Sequence, residues 1–535
     1  MKKMVLLLAS AAAALLALPS AYAVELSCHN IFQDNMCLQR RAPIKISGKA
    51  DPGKTVTVSL ETIPVVVPGE PVPDPEPVGK PASAKVNDKG EWEVKIEPLE
   101  AGGPYRLKYT DGTTSKDFKN VLIGEVWICA GQSNMELPVS TGNTMIQIKN
   151  HQQEAAAANY PRIRLIEVPK TKAPGDEFDE IAGVNPDRNL GVWMECSPRT
   201  VPNFSAAGYF FARQLQKDLD IPVGLIMTAW GGVNIETFIP DSEFAKHNRN
   251  EAKQIENALV AGAANPATGQ AGGQFNSEKF PGTMWGAMVY PWTRYTVGGV
   301  LFYQGESNTG NKDYYALHKM LIDGWREKFN DPKQPWVICQ LAGFEQWTPM
   351  NRLPEDQWKS KAPPNNVDGW PLTREIQDEM SYIYENVNSV PLMDIGDQSD
   401  IHPRDKQSLG YRLAKLVEWK YFGGELGVGP VYDHMDIQGS KCIIHFKNVG
   451  KGLSTSDGEA PGAFAIAGAD GKFVWADAKI VGDTVEVSSA QVPEPKTVRF
   501  AYAMYRGDAN LINKDGFPAY PFRTDKVKNE YEKKK

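Results

Sequence analysis

Short segments with alternating apolar and polar residues fill the first part of the chain. Trp92 to Ile96 alternates in this way, and Val56 to Leu60 does the same. A repeat of two residues is typical of a strand that buries one face. Turn signals such as Asp88-Lys89-Gly90 separate these segments. The pattern therefore predicts a β-rich N-terminal domain over residues 24–120.

The pattern changes in the middle of the chain to continuous apolar runs between helical segments. Val121 to Cys129, Val223 to Thr228 and Val297 to Tyr303 are apolar runs, whereas Ala206 to Leu219 has helical periodicity. Continuous apolar strands between helices indicate a parallel sheet that is covered on both faces. We therefore predict the α/β fold class for residues 121–427.

Short strand-like segments return after about residue 428. Lys441 to Phe446, Thr484 to Val487 and Thr497 to Ala503 lie between turns that contain Gly or Asp. This rhythm predicts a β-rich C-terminal domain over residues 428–535. The chain would then have an α/β catalytic domain between two β domains.

The N-terminus has the features of a secretory signal. Two lysines precede the apolar run Met4 to Leu18, and Ala21 and Ala23 form a small-x-small cleavage site. The run is shorter than the roughly 20 apolar residues of a membrane-spanning helix. We therefore predict that residues 1–23 are a signal peptide. The mature protein would be exported, to the periplasm or the extracellular space, and would have no membrane span.

Charge and cysteine content exclude several classes of partner and cofactor. The net charge of -7 and the lack of a basic block argue against binding to nucleic acid or to an anionic membrane. Cys28 and Cys37 could pair across a turn, but six cysteines allow many connectivities. No cysteine pair has the spacing of a zinc site, so we predict neither a metal nor a cofactor. The oligomeric state is left open.

Polar residues follow four predicted strands in the middle of the chain. These segments are Ala130 to Met135, Ala229 to Gly232, Gln304 to Asn308 and Asp394 to Pro403. In an open parallel sheet, ligands bind beyond the carboxyl ends of the strands. A serine, a glycine pair, an amide-rich loop and an Asp/His cluster are the parts that a serine hydrolase needs. We therefore predict an active site at this edge.

The nucleophile segment resembles a known family. Gly124 to Glu136, with Gly-Gln-Ser-Asn-Met at its centre, is similar to the nucleophile segment of the sialate O-acetylesterase family, which belongs to the SGNH (GDSL-like) hydrolases. The later blocks of that family are matched by Phe204 to Ala212, Trp230 to Gly232, Tyr303 to Asn308 and Ile401 to Lys406. The likeness covers nearly the whole mature chain. It implies an SGNH-hydrolase-like parallel sheet flanked by helices.

The resemblance also implies roles for individual residues. Ser133 would attack the acetyl carbonyl, and His402 would accept its proton. The oxyanion hole would consist of the backbone N–H groups of Ser133 and Gly232 and the side chain of Gln304. Residues interpreted as supports for the substrate or the loop are Glu306, Asn308 and Trp230.

The acid partner of His402 departs from the superfamily pattern. The superfamily usually has Asp three residues before the histidine, and this position is Ser399 here. We favour Asp400, while Asp397 and a backbone carbonyl stay open as alternatives.

The resemblance favours a serine esterase that removes O-acetyl groups from sialic acids, with acetylxylan as the alternative substrate. Two other classes of protein are kept as competing hypotheses. A glycosidase could use two carboxylates such as Glu306 and Asp400, and Ser133→Ala would then keep activity. A non-catalytic glycan-binding protein would bind sugar without reacting with an acyl-serine probe.

Overall fold

The structure is a computed structural model, which describes residues 24–526 except for a few short segments. The segments left out are 65, 67, 70, 141–145, 173–174, 176, 261–263, 266–269, 272–278 and 346–353. The predicted signal peptide, residues 1–23, lies outside the described residues. None of the described helices is long and apolar enough to cross a membrane.

The N-terminal region is built of strands, as predicted. They are β1 (Ser27–Cys28), β2 (Cys37–Gln39), β3 (Ile44–Lys49), β4 (Thr55–Thr62), β5 (Pro77–Lys85), β6 (Glu91–Ile96) and β7 (Gly102–Thr110). β3 lies between β1 and β6 in one antiparallel sheet, and β4 pairs with both β5 and β7. β6 buries Trp92, Val94 and Ile96 and exposes the residues between them. The period of two residues thus gives a sheet with one covered face.

One strand, β8 (Ser115–Gly131), joins this region to the middle of the chain. Its first part pairs antiparallel with β7, and β2 runs parallel to Leu122–Gly124. Side chains alternate in exposure up to Asn120 and are buried at every position from Val121 onwards. The predicted boundary at residue 120 therefore falls inside a continuous strand. The division into domains stays a prediction.

The buried half of β8 lies in a mostly parallel sheet. The remaining strands of the central region are β9 (Tyr160–Glu167), β10 (Met194–Cys196), β11 (Val223–Ala229), β12 (Ala264–Asn265), β13 (Gln270–Ala271), β14 (Gly299–Tyr303), β15 (Trp336–Cys339) and β16 (Val387–Val390). The order of the sheet is β10-β9-β11-β8-β14-β15-β16, in which β10 alone runs antiparallel. The predicted parallel sheet is confirmed.

Helices cover both faces of this sheet, as predicted. They are α1 (Ser133–Glu136), α2 (His151–Ala156), α3 (Ala206–Leu219), α4 (Asp241–Lys246), α5 (Asn250–Val260), α6 (Tyr314–Lys328), α7 (Glu355–Ser360), α8 (Gly369–Ile383) and α9 (Lys406–Tyr421). Alternate residues of β8 contribute to two separate cores. Ile128 shares one core with Trp325 of α6, whereas Trp127 packs edge-on against Phe211 of α3 in the other. The two-sided burial explains the continuous apolar run.

The C-terminal region is again β-rich. Its strands are β17 (Val431–Gln438), β18 (Lys441–Lys447), β19 (Leu453–Thr455), β20 (Phe464–Ala467), β21 (Val474–Trp475), β22 (Asp477–Val481), β23 (Thr484–Ser488), β24 (Thr497–Phe500), β25 (Leu511–Asn513) and β26 (Phe522–Arg523). Two four-stranded sheets have the orders β17-β18-β23-β22 and β21-β20-β24-β26. Their inner faces share one hydrophobic core that includes Ile444, Val485 and Phe500.

All six cysteines lie among the described residues, and none of them forms a disulfide bond. Cys28 and Cys37, which could have paired across a turn, are both unbonded. Burial raises the pKa of the Cys129 and Cys339 thiols well above the usual range. These two residues are inert packing groups in the central sheet.

A buried histidine on α6 makes the stability of the fold sensitive to acid. His318 is completely buried, and neither of its ring nitrogens has a hydrogen-bond partner among the described residues. Burial lowers the pKa of His318 to about 3, whereas the unfolded chain has an imidazole pKa of about 6.5. Between these values the unfolded state binds more protons, so the free energy of unfolding falls as the pH falls.

We expect His318→Leu to remove this acid-induced decrease in the free energy of unfolding. The decrease is on the order of 2 kcal/mol by about pH 5. The loss of stability between about pH 7.5 and pH 5, measured by urea unfolding, should be smaller in the variant than in the wild type. His247→Leu, which replaces an exposed histidine, should not change that loss. Equal losses in His318→Leu and wild type would contradict a neutral, buried His318.

Candidate active site

Ser133 lies at the carboxyl edge of the central sheet, where β8 ends. Gly131 is the last residue of β8 and has a φ of 137°, and a Cβ there would collide with the backbone oxygen of Tyr303 on β14. Glycine is therefore required where the two strands meet. The Gln132 N–H then donates to the Tyr303 oxygen over 2.9 Å. The chain turns sharply, and Ser133 begins α1.

His402 reaches Ser133 from the loop between β16 and α9. The distance between His402 Nε2 and Ser133 Oγ is 3.0 Å, although the two residues are 269 positions apart in the chain. The imidazole is only 12% exposed. A serine hydroxyl within hydrogen-bond distance of an imidazole nitrogen is the arrangement that activates a serine nucleophile. The structure thus brings together the two residues that the sequence selected for this chemistry.

Asp400 is the carboxylate beside the other nitrogen of His402. Its Oδ1 atom lies 3.5 Å from His402 Nδ1 and accepts the His402 backbone N–H over 2.9 Å. Burial alone would raise the pKa of Asp400, but the neighbouring His402 imidazole and the hydrogen bond from the His402 backbone N–H outweigh burial and lower this pKa. Asp400 therefore stays ionised and can hold the imidazole in place. Long contacts of this kind are common in unliganded hydrolases.

Asp397 has a different local role. Its Oδ1 atom accepts the backbone N–H of Ser399 over 2.9 Å and the Ser399 hydroxyl over 3.0 Å. These bonds close a turn in the loop before His402. Asp400, with Oδ1 3.5 Å from His402 Nδ1, remains the favoured acid partner. The identity of this partner stays a prediction.

The predicted oxyanion residues occupy two different environments. A Cβ at Gly231 would lie 3.5 Å from Ser133 Cβ, so the glycine pair lies directly against the nucleophile. Gly232 has a φ of 78°, and a Cβ there would meet no atom within 4 Å. Gly232 therefore borders open space. The roles of the Ser133 and Gly232 N–H groups in an oxyanion hole stay predictions.

Gln304 is completely buried behind this space. Its amide nitrogen donates to Asn308 Oδ1 over 2.6 Å, to Gln132 Oε1 over 3.2 Å and to the Val233 oxygen over 3.3 Å. Gln132 Oε1 also accepts the N–H of Ser307. The Gln304 amide thus donates to acceptors in the segments that follow β8, β11 and β14. A role of Gln304 in the oxyanion hole stays a prediction.

Asn308 and Glu306 tie this loop to its surroundings. Asn308 Oδ1 accepts the Ile235 N–H over 2.9 Å, and its amide donates to Glu236. Glu306 accepts the side-chain amide of Asn134 over 2.6 Å. Burial raises the pKa of Glu306, and the bond from Asn134 opposes that rise. Both residues thus hold the loop in place through buried hydrogen bonds.

Sequence reasoning missed a buried lysine behind the nucleophile. Lys406 Nζ donates to Asn134 Oδ1 over 2.7 Å, and Asn134 also donates to the backbone oxygen of Ile401 over 3.0 Å. Asn134 follows Ser133, and Ile401 precedes His402. Burial lowers the pKa of Lys406 to about 8. The Lys406–Asn134 pair therefore fixes the nucleophile turn relative to the histidine loop. A lysine inside the Ile401 to Lys406 block was the available sequence signal.

The rim of the site carries two lysines around one indole ring. Lys170 Nζ lies 5.4 Å and Lys172 Nζ 5.5 Å from the ring centre of Trp230. Lys170 also pairs with Glu136, whose other oxygen accepts the N–H of Gly231. Trp230, the predicted support residue, thus belongs to a wall that carries two ammonium groups and the Glu136 carboxylate and that adjoins the glycine pair.

Three kinds of comparison with known proteins each find carbohydrate esterases. The profile of the family "Carbohydrate esterase, sialic acid-specific acetylesterase" matches residues 123–415. The sialate O-acetylesterase of Rattus norvegicus is 27% identical over an alignment of 418 residues, and the match covers 71% of each chain. The human sialate O-acetylesterase is 28% identical over an alignment of 397 residues, and the match covers 71% of this chain and 68% of the human one.

A solved structure shares the whole architecture. It is the crystal structure of a carbohydrate acetylesterase from Xanthomonas citri, which is 29% identical in sequence and has a TM-score of 0.75. The alignment covers 94% of this chain and 100% of the other. The likeness therefore includes the β-rich regions on both sides of the parallel sheet.

Proposed function

Because the chain belongs to the sialic acid-specific acetylesterase family of carbohydrate esterases, we propose that it hydrolyses O-acetyl esters of sialic acids through an acetyl-serine intermediate. The observation that carries the serine mechanism is the 3.0 Å contact between Ser133 Oγ and His402 Nε2 at the carboxyl edge of the sheet. Family membership and site geometry thus lead to the same chemistry.

Acylation begins with attack of Ser133 Oγ on the acetyl carbonyl carbon while His402 Nε2 accepts the hydroxyl proton. Asp400 holds the resulting imidazolium. The carbonyl oxygen becomes negative next to the N–H groups of Ser133 and Gly232, and such donors contribute roughly 2.7–4 kcal/mol each to lowering the barrier. His402 then gives its proton to the departing sugar oxygen, and the acetyl group stays on Ser133.

Deacylation repeats these steps with water. His402 accepts a proton from water as the water oxygen attacks the acetyl-serine carbonyl. The tetrahedral intermediate collapses, His402 returns the proton to Ser133 Oγ, and acetic acid leaves and releases its proton to the solvent. Every proton transferred between the reacting groups in the site passes through His402, so these transfers need no further titrating group.

The test of the proposed function is acetate release from O-acetylated sialic acid, with acetylated xylan measured in parallel. Release from sialic acid would support the proposed substrate class. Release from xylan alone would keep the esterase chemistry and move the substrate to plant polysaccharide. Absence of release from both would contradict the proposed activity.

The two lysines at the rim favour an acidic sugar. Sialic acid carries a carboxylate, whereas acetylated xylose units are neutral. Lys170 and Lys172 place two ammonium groups around Trp230, next to the glycine pair that adjoins Ser133. We therefore assign the sugar carboxylate to this wall, because attraction between unlike charges would orient the substrate before attack.

We expect Lys172→Met to raise KM for O-acetylated sialic acid about three- to tenfold, the size of one partly exposed ion pair. The same change should leave KM for a neutral acetylated sugar within about twofold. Lys420→Met is the matched control, since Lys420 also lies over an indole ring, Trp419, at 3.9 Å. Equal effects of Lys172→Met on acidic and neutral substrates would contradict the carboxylate assignment.

We also infer that the protein is exported. The support is the basic, apolar and small-residue pattern of residues 1–23. When the full chain is produced in a cell that exports it, the intact mass should correspond to a chain that begins at Val24. A cell-associated product that keeps residues 1–23 would contradict cleavage.

A further inference from the structure

Two histidines face each other on neighbouring strands of a C-terminal sheet, the edge strand β17 and the inner strand β18. His434 on β17 is directly opposite His445 on β18 in the antiparallel register. Their rings are stacked, with centroids 4.1 Å apart and an angle of 7° between the planes. Both side chains are at least partly exposed, with 56% of His434 and 31% of His445 accessible. The pair therefore lies at the surface, far along the chain from Ser133.

A carboxylate on the same strand completes the group. Asp436 follows His434 by two residues, so both side chains lie on the same face of β17. Asp436 Oδ2 is 3.2 Å from His445 Nε2. One potential ligand atom from each of the three residues lies within 4.8 Å of the other two. Three groups that can bind a metal thus converge on one point of the sheet surface.

A β-bulge supplies a fourth residue that orients His434. The register shifts between Tyr432 and His434, which makes Asp433 the extra residue of the edge strand. Asp433 Oδ2 lies 3.0 Å from His434 Nδ1, and its other oxygen pairs with Lys447 over 2.7 Å. An imidazole whose Nδ1–H is held by a carboxylate presents Nε2 as a ligand. This carboxylate–histidine arrangement commonly stands behind histidine ligands of zinc.

We propose that His434, His445 and Asp436 bind one divalent transition-metal ion of the zinc class. Two imidazole nitrogens and one carboxylate oxygen are ligands that Zn²⁺ prefers, and three protein ligands leave a position for water. Because each Zn–N bond is only about 2.0–2.1 Å long, ligand atoms bound to one ion lie closer together than 4.8 Å. The three side chains must therefore move towards one another when the ion binds. Exposed side chains can make that movement by rotating. Mg²⁺ and Ca²⁺ prefer oxygen ligands, so they do not fit this group.

The ion would connect two neighbouring strands at the edge of the sheet. β17 has a partner on one side only, and that partner is β18. Binding to the folded state alone stabilises a protein in proportion to the logarithm of ligand concentration over Kd. Zinc should therefore raise the melting temperature of the mature protein, while Mg²⁺ at the same concentration should not.

The test is zinc titration of the untagged mature protein after removal of metals with a chelator. We expect one equivalent of Zn²⁺ to bind, measured by competition with a zinc-responsive dye, together with a rise in melting temperature. His434→Gln and His445→Gln should each lose that equivalent. Asp433→Asn removes only the negative charge of the carboxylate next to His434 Nδ1, so it should weaken zinc binding about tenfold. Cu²⁺ should bind more tightly than Zn²⁺.

His247→Gln is the matched control. His247 is exposed and lies 3.7 Å from the Glu243 carboxylate, so it is a histidine–carboxylate pair without a second histidine. This variant should bind zinc like the wild type. Melting temperatures measured without zinc establish that all variants fold. Zinc binding that persists in His434→Gln and His445→Gln, or no binding by the wild type at about 100 µM zinc, would overturn the proposal.

Discussion

Replacing Ser133 with alanine is expected to lower kcat for acetate release by about 10⁵–10⁶-fold, the loss seen when a serine nucleophile is removed. The variant lacks the oxygen that accepts the acetyl group, so no acetyl-enzyme can form. Substrate binding should survive, because the lysines around Trp230 are unchanged. The measurement is initial-rate acetate release at saturating substrate, with intact mass spectrometry to detect acetyl-serine in the wild type.

Ser140→Ala provides a control with the same chemistry. Ser140 Oγ lies 3.1 Å from His151 Nδ1, which makes another serine–histidine pair in the described part of the chain. Removal of that hydroxyl should leave kcat within about twofold, since neither residue belongs to the proposed site. A glycosidase that used Glu306 and Asp400 would instead keep its activity in Ser133→Ala. That outcome would overturn the esterase mechanism.

Asp400→Asn should have the next largest effect, a loss in kcat of about 10²–10⁴-fold. The amide keeps the size of the side chain but removes the negative charge beside His402 Nδ1. The imidazolium formed during acylation then loses its stabilising partner. Because Asp400 holds the histidine and does not touch substrate, KM should change little. The pH–rate profile should also shift, which a purely structural loss would not produce.

Asp397→Asn distinguishes the two aspartates of the loop. Asp397 Oδ1 accepts two hydrogen bonds from Ser399, and the asparagine amide oxygen can accept both. We therefore expect nearly unchanged kcat in this variant. A larger loss in Asp397→Asn than in Asp400→Asn would identify Asp397 as the acid partner and contradict the present assignment.

The location of the candidate site at the carboxyl edge of the sheet could be predicted, because it depends on chain topology alone. Ser133 and His402 each follow an apolar run, and the carboxyl ends of parallel strands meet at one edge. A separation of 269 residues in sequence is then compatible with a 3.0 Å contact. The helices and β-rich regions followed equally directly from the period of their apolar residues.

The direction of buried side chains could not be predicted in this way. Lys406 begins a helix, a position where lysine is normally exposed, yet it is buried against Asn134. The family resemblance implies that the Gln304 side chain takes part in the oxyanion hole. In the structure, the Gln304 amide donates to the side chains of Gln132 and Asn308. Such contacts depend on which loops pack together. Spacing along the chain does not encode them.

Strand register also hides sites from sequence motifs. Asp436 and His434 are two residues apart, but His445 joins them only because β17 and β18 pair in one particular register. A shift of one residue would turn the His445 side chain to the opposite face. Cysteine spacing therefore carries no information about a group whose members come from two strands.

The single strand β8 joins the N-terminal β-rich region to the catalytic region of the esterase. Gln39 accepts the Val126 N–H over 2.8 Å, and the buried Arg40 pairs with the buried Glu125 over 2.7 Å. A chain shortened to begin at residue 121 would keep Glu125 and lose both partners, and an unpaired buried charge costs about 3–5 kcal/mol. We therefore expect a catalytic region cut at residue 121 to be less stable than the same region within the whole chain, because the strand that presents the nucleophile would lose these contacts.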